Sequence, residues 1–173
     1  MRSVSVISCV EFREAVDRDA ESVQRVARKS WHAAHDHIIG EAAVEELLDR
    51  WYGHDELEER IDREDAPMFL AIADGEIVGF VQGGPSDDGP ADAVVGSIYV
   101  LPGYWDEGVG TELLNRLFDT LRADSRDSVW LSVMTDNDVG RSFYDKHGFE
   151  VHEERTVELA GRDVDDMVLV RDL

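Results

Sequence analysis

Ile98-Tyr99-Val100-Leu101-Pro102-Gly103-Tyr104-Trp105-Asp106-Glu107-Gly108-Val109-Gly110 is the stretch whose reading decides how this chain folds. An apolar run ends at Leu101-Pro102, a Gly-x-Gly turn follows at Gly108 to Gly110, and Leu113, Leu114, Leu117, Phe118 and Leu121 then recur at helical spacing. Strand, turn and helix in that order form an anion cradle. The glycines let the backbone turn tightly, and the free N–H groups of the first helical turn converge on one point. A phosphate is the natural guest. A lone Gly-x-Gly before a helix is more often just a tight turn, so the reading needs a second motif.

That motif runs from Leu131-Ser132-Val133-Met134-Thr135-Asp136-Asn137 into Arg141-Ser142-Phe143-Tyr144-Asp145-Lys146-His147-Gly148-Phe149. Asn137 and Tyr144 stand seven apart, two helical turns, so both face one cleft. Gly148 is the expected helix stop, and Phe149 opens the next strand.

Outward from these motifs the pattern is regular. Val10 to Ala15 reads as a strand, and Asp17-Arg18-Asp19-Ala20 opens a helix with Val23, Val26, Ala27, Trp31 and Ala34 on one face. A second helix carries Val44, Leu47, Leu48 and Trp51. Met68 to Ala73 and Glu76 to Gly83 are strands joined by Asp74-Gly75, a strong hairpin signal. A Gly/Pro/Asp loop from Gly83 to Asp92 leads to a strand over Ala93 to Val100. Ser128 to Thr135 is a strand, Asn137 to His147 a helix, and Glu150 to Leu173 a closing hairpin around Ala160-Gly161. The expectation is a single α/β domain with a mixed sheet over residues 1–173.

Composition narrows the function. The 173 residues hold 39 acidic and 17 basic side chains, a net charge of −22, with only two lysines, Lys29 and Lys146. The acid is spread through every segment and interleaved with apolar residues, which is the pattern of a solvated surface rather than a disordered acidic tail. It predicts a halophilic protein, and the lack of a basic patch argues against a nucleic-acid partner. No apolar run is long enough to span a membrane, and Met1 to Val10 is too short and serine-rich for a secretory signal. The single cysteine, Cys9, excludes an intrachain disulfide framework, suits a cytoplasmic location and is expected as core filler on the first strand.

Together the two motifs resemble the GNAT (Gcn5-related) N-acetyltransferase superfamily, and the order of elements from Val10 to Leu173 is similar to its plan. The resemblance implies acetyl-CoA as cosubstrate and a primary amine as acceptor, joined in a ternary complex without a covalent enzyme intermediate. Ile98, Tyr99 and Val100 would pair with the pantetheine arm, and Asp106, Glu107, Gly108, Val109, Gly110 and Thr111 would wrap the pyrophosphate. Asn137 would hold the pantetheine, and Tyr144 would bind there and protonate the departing thiolate as general acid. The first helices would wall the acceptor cleft with Trp31, His32 and His35. Homodimerisation is a family-level expectation.

The chain departs from the family pattern twice. Trp105 stands at the loop's usual glutamine or basic position, with Asp106-Glu107 after it; an amide cradle needs no basic side chain, and Trp105 could pack on the cofactor. No glutamate occupies the usual general-base positions. Water relayed through Ser97 or Ser132, or His32 or His35, are open alternatives. His32, His35 and Asp36 do not make a metal motif, and no metal is expected. Two other readings stay open: a non-catalytic acyl-CoA-binding module, and an enzyme whose acceptor is a protein N-terminus.

A charge of −22 repels itself, and salt screens that repulsion. The melting temperature should fall as KCl drops below roughly 0.5 M, where screening weakens. A melting temperature constant from low to molar KCl in a thermal scan would contradict this.

Overall fold

The computed structural model describes residues 9–173. Seven strands form one sheet: β1 (Val10–Glu14), β2 (Met68–Ala73), β3 (Glu76–Pro85), β4 (Ala93–Val100), β5 (Ser128–Met134), β6 (Glu150–Leu159) and β7 (Arg162–Asp172). Their spatial order is β1-β2-β3-β4-β5-β7-β6, all neighbours antiparallel except β4 and β5. Helices α1 (Ala20–Ile39), α2 (Glu41–Trp51) and α3 (His54–Ile61) cover one face. On the other face lie α4 (Val109–Ala123) and α5 (Asp138–Lys146). Strand alternation feeds both layers: Phe69, Ala71 and Ala73 pack towards α4, while Met68 and Leu70 pack towards α1 and α2.

β4 breaks that alternation. Gln82 pairs with Ser97 but Gly83 pairs with Val95, so Gly96 is an extra, bulged residue. Before the bulge Ala93 and Val95 join the α4 layer; after it Ile98 and Val100 do, and Tyr99 packs with the α1 layer. One inserted residue therefore swaps which side chains face which layer.

The parting of β4 from β5 sets the site. These parallel strands pair only at Ala93 with Val129 and Val94 with Trp130. At the paired end the Asp92 carboxylate accepts from the backbone N–H groups of Asp127 and Ser128 at 3.0 to 3.2 Å. Beyond Trp130 the strands diverge and leave a gap.

The expected strands and all four expected helices are present, and the structure holds a fifth helix that the sequence reading omitted. The omission is α3, whose apolar positions amount to Leu57 and Ile61, too few to register as a period. β3 runs on to Pro85, past the Gly83 at which a loop was expected to begin. Asn137 is the cap before α5 rather than its first turn. Cys9 is exposed and precedes β1, so it is not core filler. The reading of Met1 to Val10 as no secretory signal falls mainly on residues 1–8, outside the described residues. Among the described residues no helix is long and apolar enough to cross a membrane.

At Gly83 a methyl group would lie 2.4 Å from the Val94 carbonyl and 2.8 Å from a Leu117 methyl. Gly83→Ala should therefore lower stability by about 1–3 kcal/mol through overpacking between β3, β4 and α4. Urea unfolding reads this as a lower midpoint at unchanged slope.

Candidate active site

The gap between β4 and β5 opens into a cleft of about 910 Å³ that reaches both layers. One half is built from α4, α5 and the loop after β4. In that loop Tyr104 donates its backbone N–H to Leu101, and the Trp105 indole donates to the Val100 carbonyl at 2.8 Å. Trp105 thus ties the loop to the edge of β4. Asp106 and Gly108 then adopt left-handed backbone at φ 61° and 83°, which turns the chain into α4. The first helical bond runs from Glu112 N–H to the Gly108 carbonyl. None of the backbone N–H groups of residues 106–111 has a hydrogen-bond partner among the described residues. Such a run at the positive end of a helix dipole is a site for an anion.

α5 closes this half from across the gap. Asn137 caps it, its side-chain carbonyl accepting from Gly140 N–H at 3.0 Å, so its amide N–H₂ is left for the cleft. Tyr144 stacks edge-on with Phe143 and Phe149 at centroid distances of 5.5 and 5.7 Å. Burial pushes the Tyr144 phenol up, and the nearby Tyr52 phenol adds to the shift. His147 bridges the two helices, its Nε2 2.9 Å from the Thr111 hydroxyl and its Nδ1 2.7 Å from the Phe143 carbonyl.

The other half is aromatic. Trp31 of α1 lies within 6.0 Å, centroid to centroid, of Trp51, Tyr52 and Tyr99. The Tyr52 hydroxyl is 2.9 Å from the Ser97 hydroxyl, and Arg60 stacks over the Tyr52 ring at 4.8 Å. At the floor Asp166 is buried and paired to Arg155 at 3.0 Å; burial raises its pKa, against the pull of Arg155. Tyr99, like Tyr144, is pushed up by burial first and then by its neighbouring phenols, Tyr52 and Tyr144. Phenols from α2's end, β4 and α5 therefore meet across the gap, and burial holds those of Tyr99 and Tyr144 protonated.

Of the residues singled out in the sequence, Ile98, Tyr99, Val100, Asp106, Gly108, Val109, Gly110, Thr111, Asn137 and Tyr144 line this cleft, as do Trp31 and His35. Glu107 is exposed and does not line it. His32 does not either, since its two ring nitrogens are each 2.7 Å from a carboxylate oxygen, of Asp36 and of Glu45. Burial alone would lower the His32 pKa, and the bonds to Glu45 and Asp36 outweigh it and raise it. His35, one turn on from Trp31, sits on the buried side of α1, its ring 4.3 Å from the Trp31 ring. Sequence reasoning missed Tyr52, Arg60, Lys146, Arg155 and Asp166, all in the lining. Lys146, one of the chain's two lysines, carried a signal in its rarity.

The charged side chains in the lining are Arg60, Lys146 and Arg155 against Asp106, Asp138 and Asp166, three of each sign. In a chain of net charge −22 that is a locally neutral cleft, one that an anionic ligand can enter.

Comparison with known proteins places this geometry. A family model described as the acetyltransferase (GNAT) family matches residues 21–149. An uncharacterised N-acetyltransferase of Mycobacterium tuberculosis is 27% identical over 155 residues, 90% of this chain and 98% of its own length. A spermidine N(1)-acetyltransferase of Thermoplasma acidophilum is 28% identical over 148 residues, 83% and 90% of the two chains. Among solved structures, the PaiA N-acetyltransferase of Thermoplasma acidophilum in complex with coenzyme A superposes with a TM-score of 0.81 at 26% identity, covering 95% of this chain and 99% of that one.

His35 supplies a pH test of the packing. Burial, followed by the His37 charge, lowers its pKa from 6.5 to about 4. The unfolded chain then binds a proton between these values that the native state refuses, so stability is lost as pH falls through this window, by a term on the order of 3 kcal/mol. Urea unfolding of His35→Leu against the native sequence should show the two stability curves converging, or crossing, as pH drops from 6.5 to 4. Parallel curves would contradict it.

Proposed function

The chain belongs to the GNAT acetyltransferase family, and on that premise we propose that it moves the acetyl group of acetyl-CoA to a primary amine in a direct ternary complex. The observation that carries this reading is the row of unpartnered N–H groups at residues 106–111, opening onto the cleft where β4 leaves β5. The coenzyme A held by the Thermoplasma acidophilum structure supports the same cosubstrate here.

In this reading the pyrophosphate sits on the amides of residues 106–111, and Lys146 is a cation of the same lining. The pantetheine arm runs along the gap, against the edge of β4 at Ile98 to Val100, and Asn137 donates its amide to it. The acceptor enters from the aromatic half. Its nitrogen lone pair attacks the acyl carbon, the C–N bond forms, the C–S bond breaks, and the amine's surplus proton passes to solvent. The thiolate takes its proton from Tyr144, which burial keeps protonated, and a proton from solvent restores the phenol before the next turnover. Positioning supplies most of the rate. The acidic surface fits work in high salt, where screening shortens the reach of its charge towards an anionic cosubstrate.

Calorimetric titration of acetyl-CoA tests the reading. The native protein should bind it, and Gly108→Trp, which fills the left-handed turn before α4, should not. Tyr144→Phe should keep the affinity and lose about 10²-fold or more in kcat. A native protein that binds no acetyl-CoA would remove the proposal and leave the family assignment standing.

A further inference from the structure

The aromatic half of the cleft holds an arginine without an acid. Arg60 lies in the last turn of α3, its carbonyl pinned by the Gln82 side-chain amide at 2.7 Å, and Gln82 also donates to the Ala66 carbonyl. The guanidinium stacks on Tyr52, 4.8 Å from the ring centroid, and makes no hydrogen bond; among the described residues no carboxylate lies within 4.0 Å of it. Stacking holds the planar fork by its face and leaves its N–H edges free. In a chain with 39 acidic and 17 basic side chains, a half-buried arginine in a ligand cleft that has escaped every carboxylate is conspicuous.

The neighbouring groups point the same way. The Asp166 carboxylate on the floor is already taken by Arg155, both guanidinium contacts falling on one oxygen at 3.0 Å. On α1 the Ser30 hydroxyl and the Trp31 indole N–H are buried without a hydrogen-bond partner, and both residues line the cleft. Buried polar atoms without partners are rare in native proteins, and here they gather around one half of one cleft. What this half lacks is an acceptor of hydrogen bonds and a negative charge. A polycation would bring neither.

We propose that the acceptor amine also carries an oxyanion, a carboxylate or a phosphate, which the Arg60 fork binds in the aromatic half of the cleft. This rests on the acetyltransferase reading for the word acceptor, while the anion subsite itself stands on Arg60 and its surroundings. The spermidine N(1)-acetyltransferase similar to this chain then differs from it in the charge of what enters this half.

The test is binding without cosubstrate, by calorimetry, of β-alanine, phosphoethanolamine, propylamine and spermidine to the native protein, Arg60→Met and Arg60→Lys. Methionine keeps an apolar stem over Tyr52 and loses the fork. The native protein should bind β-alanine or phosphoethanolamine about tenfold or more tightly than propylamine, as a charge-assisted pair predicts. Arg60→Met should erase that preference and leave propylamine unchanged; Arg60→Lys should restore part of it. Whichever anion is preferred identifies the carboxylate or phosphate class. Equal binding of charged and neutral amines, a preference for spermidine, or a preference that survives Arg60→Met overturns the proposal. Adding acetyl-CoA then separates the two readings. Arg60-dependent binding with no acetylated product removes the transferase proposal and keeps the subsite, whereas acetylated propylamine with no anion preference removes the subsite alone.

Discussion

Everything functional in this molecule depends on two parallel strands that begin together and do not stay together. β4 and β5 pair over two residues, with the Asp92 carboxylate clamping the start of β5, and then diverge. A sheet normally satisfies its backbone groups from its neighbours, and a strand edge left open inside a domain must find other partners or offer them to a ligand. Here the Trp105 indole takes the Val100 carbonyl, and the rest of the divergent edge faces a cleft. The clamp at one end and the aromatic packing of α5 at the other hold the wedge open.

The electrostatics of the wedge differ from those of the surface around it. Outside, carboxylates outnumber cations by more than two to one; inside, the charges balance and the phenols of Tyr99 and Tyr144 are kept neutral by burial. An anionic ligand must cross the first environment to reach the second. The amides before α4 attract it once it is within a few ångströms, and they do so without any cationic side chain in the loop. That explains how Asp106 and Glu107 can stand in a turn whose amides favour an anion: Glu107 points to solvent, and it is the backbone of Asp106, bent to φ 61°, that shapes the turn.

Much of this was legible in the sequence because it is local. The Gly-x-Gly turn, the helix after it and the Asn137-to-Tyr144 spacing are all contained in short windows, and the structure puts them around one cleft. The aromatic half was less legible because it is assembled from afar. Tyr52 meets Ser97 across 45 residues, and Asp166 meets Arg155 across a hairpin, with no periodic pattern to announce either. α3 was invisible because an eight-residue helix with two apolar positions carries almost no period, and Arg60 vanished with it. His32 and His35 look equivalent in the sequence, three residues apart on α1. Their separation into a carboxylate-bound ring and a cleft-lining ring comes from Glu45, which α2 delivers to one side only.

The bulge at Gly96 gives β4 two independent vocabularies. Ile98 and Val100 address the α4 layer, whereas Tyr99 addresses the α1 layer, because one uncounted residue has shifted the parity of the strand. Substitutions at odd and even positions of this strand can therefore drift separately, one set tied to the packing of the α4 layer and the other to that of the α1 layer. A deletion of a single residue there would exchange the two sets at a stroke, without changing the identity of any residue that remains. In this architecture the length of β4, as much as its composition, is a heritable determinant of which side chains each half of the cleft presents.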